Sequence, residues 1–413
     1  MTIQFRLTIL NFLQFFLWGA WLISLGGYMF VTLHFTGAQV GSVYATMGLG
    51  SLIMPALLGI IADRWINAER LLGICHLAGA ALMFWASTVS DYHTLYIIML
   101  FNSMMYMPTI ALANTVSYTV LESKGFDVVK TFPPIRVWGT VGFIAAMWLV
   151  DSMHLVLKAE QLYISSAAAL LMGLYSFTIP ACPPSKSKEK KNLVSMLGLD
   201  AFVLLKNRRL LIFFIFAMFL GAALQITNLF SSTFLEDFRS IYPDSFGVKH
   251  PNILISISQM SETLFILTIP FFLRKFGIKK VMLMSMFAWV FRFGLYGIGN
   301  PGGGLWLLVL SMIVYGMAFD FFNISGSLFV EREADVKMRA SAQGLFMMIT
   351  NGIGAFIGGT ISGMVVDYFT VNGVRDWHSI WFSFAAYALL IGIAFPLVFR
   401  YKHDPTMEVR QGH

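Results

Sequence analysis

Apolar positions in this chain do not alternate, as in a half-buried strand, nor keep to one face, as in a surface helix. They run in blocks of about twenty or more, separated by short polar or basic connections. Twelve blocks stand out, at about 7–32, 38–62, 69–88, 94–120, 134–155, 160–180, 209–235, 252–274, 279–299, 304–331, 338–366 and 377–400. About 20 apolar residues suffice for a helix to cross the hydrocarbon core of a bilayer. The pattern therefore predicts an all-α membrane protein with twelve transmembrane helices in two six-helix bundles. The first block lacks a small-residue cleavage site after a short apolar core, so it reads as an uncleaved helix rather than a signal peptide.

Composition agrees, since hydrophobic residues make up 57% of the 413 positions and charged residues 12%, against about 25% charged in a soluble domain. The cations fall on alternate connections. One set holds Arg64, Arg70, Lys124, Lys130, Lys186, Lys188, Lys190, Lys191, Lys206, Arg208 and Arg209, then Arg274, Lys275, Lys279, Lys280, Arg332, Lys337, Arg339, Arg400 and Lys402; the other holds Lys158, Arg239, Lys249 and Arg375. By the positive-inside rule both termini are expected in the cytoplasm. The net charge of +7 is then a topology signal, and no basic soluble domain is present to bind nucleic acid. Cys75 and Cys182 both fall near the cytoplasmic side, where thiols stay reduced, so no disulfide is expected.

A polar, basic stretch at 181–208 separates six blocks (1–180) from six (209–413). Equal halves of this kind are characteristic of transporters that rock two bundles about a central site. The connections after the second and eighth blocks occupy equivalent places. The first reads Gly59-Ile-Ile-Ala-Asp63-Arg64-Trp-Ile-Asn-Ala-Glu69-Arg70, the second Arg274-Lys275-Phe276-Gly277-Ile278-Lys279-Lys280. The first resembles the loop motif of the major facilitator superfamily, which makes Asp63 and Arg64 candidates for a cytoplasmic gate.

Polar residues inside the blocks carry the candidate chemistry. Glu262 and Asp320 each lie within an apolar stretch, 252–273 and 305–330. An ionisable group at that depth is costly in hydrocarbon and marks a substrate or proton pathway. Residues three or four apart share a helix face. Gln225 with Asn228, Gln259 with Glu262, Asp320 with Asn323, Tyr315 with Phe319, and Arg136 with Thr140 and Phe143 all keep that spacing. Most of these stripes fall near mid-membrane at about 1.5 Å per residue. Amides, carboxylates and aromatic rings together suit a neutral polyhydroxylated ligand with a flat ring.

Simpler readings compete. Intramembrane Gln and Asn often only join helices, and that reading is preferred for the isolated Gln14, Asn102, Asn114 and Asn351. Arg292 is expected to snorkel or to make a structural pair. Trp18 and Trp21 read as interface anchors, with Trp21 deep enough to line a cavity. Gly354, Gly358, Gly359 and Gly363 have the small-residue spacing that permits close helix packing. If the fifth helix begins at Pro133-Pro134, Arg136 lies at its cytoplasmic rim.

Several blocks resemble the nucleoside:proton symporter family of the major facilitator superfamily, the bacterial nucleoside permeases. They are Phe12-Leu-Gln-Phe-Phe-Leu-Trp18-Gly-Ala-Trp21, Phe132-Pro-Pro-Ile-Arg136-Val-Trp-Gly-Thr140-Val-Gly-Phe143, Leu199-Asp200-Ala201-Phe202, Leu224-Gln225-Ile-Thr-Asn228, Ser258-Gln259-Met-Ser-Glu262 and Tyr315-Gly-Met-Ala-Phe319-Asp320-Phe-Phe-Asn323. The likeness runs nearly end to end. It implies proton-coupled uptake of purine and pyrimidine nucleosides such as uridine and adenosine across the inner membrane. A nucleoside site is implied at Arg136, Thr140, Phe143, Gln225, Asn228, Gln259, Glu262, Tyr315 and Phe319. Proton coupling is implied at Asp320, with Glu262 and Arg136 beside it. A xanthosine-selective permease and a proton-coupled sugar porter share this architecture and stay open.

Burial favours the protonated form of a carboxyl and a nearby guanidinium the ionised form. A carboxylate that passes between these influences as the bundles rock can load a proton outside and release it inside. Asp320 is assigned the proton and Glu262 the ribose hydroxyls, with the reverse assignment as the alternative. No cofactor other than the coupling proton, no metal and no obligate oligomer is expected, so the chain reads as a monomer. An intramembrane hydrolase would need a nucleophile and base at mid-membrane, and the blocks hold no His-Glu-x-x-His, Gly-x-Ser-Gly or Gly-x-Gly-Asp to supply them. A passive facilitator would differ by its insensitivity to a protonophore.

Overall fold

The computed structural model describes residues 2–184 and 199–401. The cations Lys186, Lys188, Lys190, Lys191 and Lys402 and the middle of the predicted linker lie outside the described residues, as does the side chain of Lys337. The long helices are α1 (Ile3–Gly19), α2 (Gly37–Arg64), α3 (Ala68–Ala86), α4 (Tyr92–Ser123), α5 (Val128–Ser152) and α6 (Glu160–Ser176). They continue with α7 (Arg208–Asp237), α8 (Pro251–Ile298), α9 (Leu305–Glu333), α10 (Arg339–Met347), α11 (Ala355–Tyr368) and α12 (Trp377–Val398). Among the described residues, eight helical runs are long and apolar enough to cross a membrane: α2, α4, α5, α7, α8, α9, Arg339–Tyr368 and α12. α8 alone has 48 residues, and its one departure from helical geometry is Gly277 at φ 74°. Left-handed backbone of this kind suits a residue without Cβ.

Local chemistry sets many of the boundaries. Thr36 caps α2 in a reciprocal capping box with Gln39, which satisfies two amide donors at once. Asp91 caps α4 by accepting from the Thr94 N–H at 2.9 Å. That bond holds the Asp91 carboxyl below its usual range. Asp127, Asn207 and Asp376 cap α5, α7 and α12 in the same way.

Four expectations need correction. The Gly59–Arg64 motif is not loop but the end of α2, and only 65–67 connect it to α3. The connection around Arg274–Lys280 contracts to the single break at Gly277. The first block is not one helix: α1 ends at Gly19, a turn occupies 20–24, and a short helical turn at Leu25–Gly27 leads into a π-helix at Tyr28–Thr32. Close packing accompanies this break, since a Cβ on Gly19 would lie 2.4 Å from the Phe143 carbonyl oxygen and one on Gly26 2.2 Å from that of Leu229. The eleventh block likewise contains a π-helix, Met348–Gly354.

A two-stranded antiparallel hairpin, Thr370–Val371 with Val374–Arg375, was not foreseen. Asn372 and Gly373 form its turn at φ 52° and 78°, as expected of Asn-Gly.

Small residues bring the two halves of the chain into backbone contact. Along α2 and α11, a Cβ on Gly41 would lie 2.1 Å from the Gly359 oxygen, and one on Gly363 2.1 Å from the Gly37 oxygen. Neither backbone can move aside without separating the helices, so Gly41→Val should destabilise the protein by about 1–3 kcal/mol. The check is a clear fall in thermal midpoint in detergent, set against Gly59→Val, where a Cβ meets nothing within 4 Å.

Candidate functional site

Two glycines seat α5 on α1. A Cβ on Gly142 would lie 2.3 Å from the Phe12 carbonyl oxygen, and one on Gly139 2.7 Å from the Phe15 ring. Arg136 and Phe143 of the stripe are therefore presented to the aromatic face of α1. Arg136 stacks its guanidinium 4.1 Å over Phe15. Phe143 meets Trp18 edge-on at 6.0 Å, and Trp18 in turn lies 5.4 Å from Tyr106. α5 begins at Val128, so Arg136 stands more than two turns inside the helix and not at its rim. Trp18 and Trp21 are not interface anchors. Trp18 is half-buried in this cluster, and Trp21 is buried and lines a small interior cavity with Cys75, His76 and Asn102.

In the second half, Tyr315 and Phe319 stack in parallel planes at 5.7 Å. Arg292 does not snorkel. It is 2% exposed, lies 4.6 Å over the Tyr315 ring and donates to the Ser311 carbonyl at 2.9 Å and to Ser258 Oγ at 3.4 Å. It is a structural pair, as one reading of the sequence had it, made with backbone and an aromatic face. Asp320, 4% exposed, has its Oδ2 buried without a hydrogen-bond partner. Glu262 is half-buried.

Charge links these groups across helices. Glu262 on α8 acts electrostatically on Asp320 and Tyr315 of α9 and on Arg136 of α5. The last interaction joins the two halves of the chain. Gln225 on α7 and Gln259 on α8 each bury a side-chain oxygen that lacks a partner. Thr140 on α5 and Asn228 on α7 are half-buried. Buried polar atoms normally find partners, so unmet acceptors on three helices are the signature of a place that receives one. Asp63 and Arg64 lie elsewhere, exposed in the last turn of α2. A surface cleft lined by Asn207, Arg208, Arg209, Glu333 and Arg400 is likewise remote from this chemistry in the sequence pattern and holds only connection residues and helix ends.

One polar cluster went unrecognised in the sequence. His76, buried, meets Gln14 Oε1 at 2.8 Å, while Gln14 Nε2 donates to Thr109 Oγ1 at 2.8 Å. Tyr106 donates to the Gln14 carbonyl at 2.9 Å. A lone histidine in an apolar block was the available signal. Gln14 was correctly read as joining helices.

Six side-chain hydrogen bonds among the described residues link positions before 184 to positions after 199. All six lie at the end of the helices opposite the chain termini, and they involve Trp148, Asp151 and Asp367.

A helical membrane protein whose halves meet over an interior carboxylate, a guanidinium and unsatisfied amides is built to pass something through itself, and it is a transporter rather than an enzyme. The sequence matches the family described as Nucleoside H+ symporter over residues 1–404, and the chain belongs to that family. It is 57% identical over 408 residues to the xanthosine permease of Escherichia coli, covering 98% of each chain. It is 52% identical over 406 residues to the nucleoside permease NupG of Escherichia coli, covering 98% of this chain and 97% of the other. A crystal structure of a substituted nucleoside transporter NupG superposes with a TM-score of 0.95 at 51% identity, covering 97% of this chain and 100% of that one.

The Gln14 network yields a stability prediction. Gln14→Leu leaves His76 and the Thr109 hydroxyl without their buried partner, a loss of about 1–3 kcal/mol. Thermal unfolding should register it, and an unchanged midpoint would show the network to be dispensable.

Proposed function

We propose that this protein takes up nucleosides with protons across the bacterial inner membrane by alternating access. Twelve helices, arranged as an N-terminal bundle (1–180) and a C-terminal bundle (209–413) joined by the basic segment 181–208, form the working unit as a monomer with both termini in the cytoplasm. The observation that carries this reading is the electrostatic chain Arg136–Glu262–Asp320. Glu262 of one half interacts with a cation of the other, Arg136, and with a second carboxylate of its own half, Asp320.

The nucleoside fits the flanking groups. Tyr315 and Phe319 offer parallel ring faces for a base. Gln225, Asn228, Gln259 and Thr140 offer amides and a hydroxyl that both donate and accept. Glu262 accepts from ribose hydroxyls, and Arg136, held against Phe15, closes the other side with Phe143. Asp320 takes the proton at its unpartnered oxygen, and no cofactor takes part. When the halves rock, the distance between Arg136 and Glu262 changes, and with it the field at Asp320. One proton moving down about 100 mV and one pH unit supplies roughly 3.7 kcal/mol, enough for about a 500-fold nucleoside gradient at one-to-one coupling. The inter-half hydrogen bonds support a state shut on the periplasmic side. Asp63 and Arg64 are then the groups that close the cytoplasmic side in the opposite state.

Labelled uridine uptake into cells without their own nucleoside permeases should be concentrative, blocked by adenosine and abolished by a protonophore. Retention of accumulation in the presence of the protonophore would overturn the coupling. In Asp320→Asn accumulation should vanish while nucleoside exchange between the two sides persists, and surviving accumulation would move the proton to Glu262. Glu262→Gln, which loses charge-assisted bonds worth about 1.5–3 kcal/mol, should weaken uridine binding on the order of ten- to a hundred-fold in calorimetry. The 57% identity to a xanthosine permease favours a second reading, selectivity for xanthosine; it would be established by uptake that xanthosine blocks and uridine does not.

A further inference from the structure

The contacts that shut the end opposite the termini follow a reciprocal plan. Asp151 stands in the last turn of α5, 1% exposed. Its Oδ2 accepts the first backbone N–H groups of α8, from Asn252 at 2.8 Å and Ile253 at 3.3 Å, while Oδ1 meets His250 Nδ1 at 2.7 Å. Asp367 stands in the last turn of α11. It accepts the first N–H groups of α2, from Gly37 at 2.5 Å and Ala38 at 2.7 Å. α5 and α11 arise from the fifth block of each half, and α2 and α8 carry the second. Each half thus lends a carboxylate from its fifth block to the second-block helix of the other.

Neither carboxylate suits its own helix. The C-terminal end of a helix carries partial negative charge, which disfavours an anion there, and the N-terminal end carries the positive counterpart with free N–H donors. Asp151 and Asp367 gain a favourable partner only when the halves are in contact at this end. Separation would return two anions to unfavourable helix ends and leave the first N–H groups of two other helices without these acceptors. Such an element has two discrete arrangements, which is what a conformational switch requires.

We propose that Asp151 and Asp367 are a matched pair of gating residues for transport, each locking one half of the protein onto the other through a helix N-terminus. The closed state is held by both, and opening to the periplasm releases both. Gly37 belongs to the second lock: a Cβ there would lie 2.8 Å from Asp367 Oδ1 and 2.4 Å from the Gly363 oxygen. Trp148, donating to Ser256 Oγ at 2.9 Å, braces the first.

The inference rests on the transporter reading, yet its test needs no substrate. Spin labels at Met153→Cys and Val371→Cys, both exposed and on opposite halves, report the separation at this end by double electron–electron resonance on the purified full-length protein. Cys75 and Cys182 are buried and stay in place. The parent should show a single short distance. Asp151→Ala or Asp367→Ala should raise the open-to-closed ratio on the order of tenfold each, about 1.4 kcal/mol, and the double variant should be mainly open. Asp151→Asn with Asp367→Asn, which keeps the shape and loses the charge, should fall between. A monodisperse double variant with the parent's distance distribution would overturn the proposal. If the alanine variants do not fold, the Asn pair and Gly37→Ala decide it on the same readout. A shifted distance without nucleoside uptake in the parent would remove the nucleoside assignment and leave the locks standing.

Discussion

Everything in this structure answers to one constraint: within hydrocarbon, no polar group can turn to water for a partner. Most interior polar side chains comply by bonding inside the protein. Ser24 donates to Gln161 Oε1, whose amide donates in turn to the Val156 and Lys158 carbonyls, and Ser165 bonds the Leu17 carbonyl. Among the buried atoms that stay unmet are oxygens of Asp320, Gln225 and Gln259. An apolar residue of similar volume would cost less at each position, so stability does not account for their presence. Transport does.

The same constraint explains how the helices break. Residues 20–24 and the π-helical segments at Tyr28–Thr32 and Met348–Gly354 interrupt regular hydrogen bonding. They lie where backbones are pressed together, at Gly26 against Leu229, Gly221 against Thr350 and Gly354 against Met218. Irregular backbone at membrane depth is tolerated where protein surrounds it. The breaks therefore coincide with the seams, not with the lipid-facing surface.

Much of this was legible in the sequence. Block length revealed the helices, because apolar length is the direct consequence of bilayer thickness. The stripes at three- and four-residue spacing identified Arg136, Phe143, Glu262, Tyr315 and Asp320 as groups on shared faces, and charge does connect Arg136, Glu262, Tyr315 and Asp320. The helix breaks were not legible, since hydropathy records whether a residue is apolar and says nothing of whether its amide is bonded four or five residues back. Nor was Gly277, which compresses an anticipated loop into one residue. His76 escaped because its partner Gln14 is 62 positions away. Asp151 and Asp367 escaped for a related reason: they stand at block ends, and only the fold brings a helix start from the other half against each.

The break at Gly277 has a mechanical meaning. A connection of one residue leaves no slack between the two arms of α8, so a displacement of one arm's end is carried to the start of the other. One arm carries Glu262, and the other carries Arg292 against Tyr315. In the proposed transport cycle the two arms form a bent lever joined at one residue, with Glu262 on one side of the joint and the Arg292–Tyr315 stack on the other. A longer linker here would act as a clutch, letting one arm slip while the other moved, and binding would lose its grip on the rest of the machine.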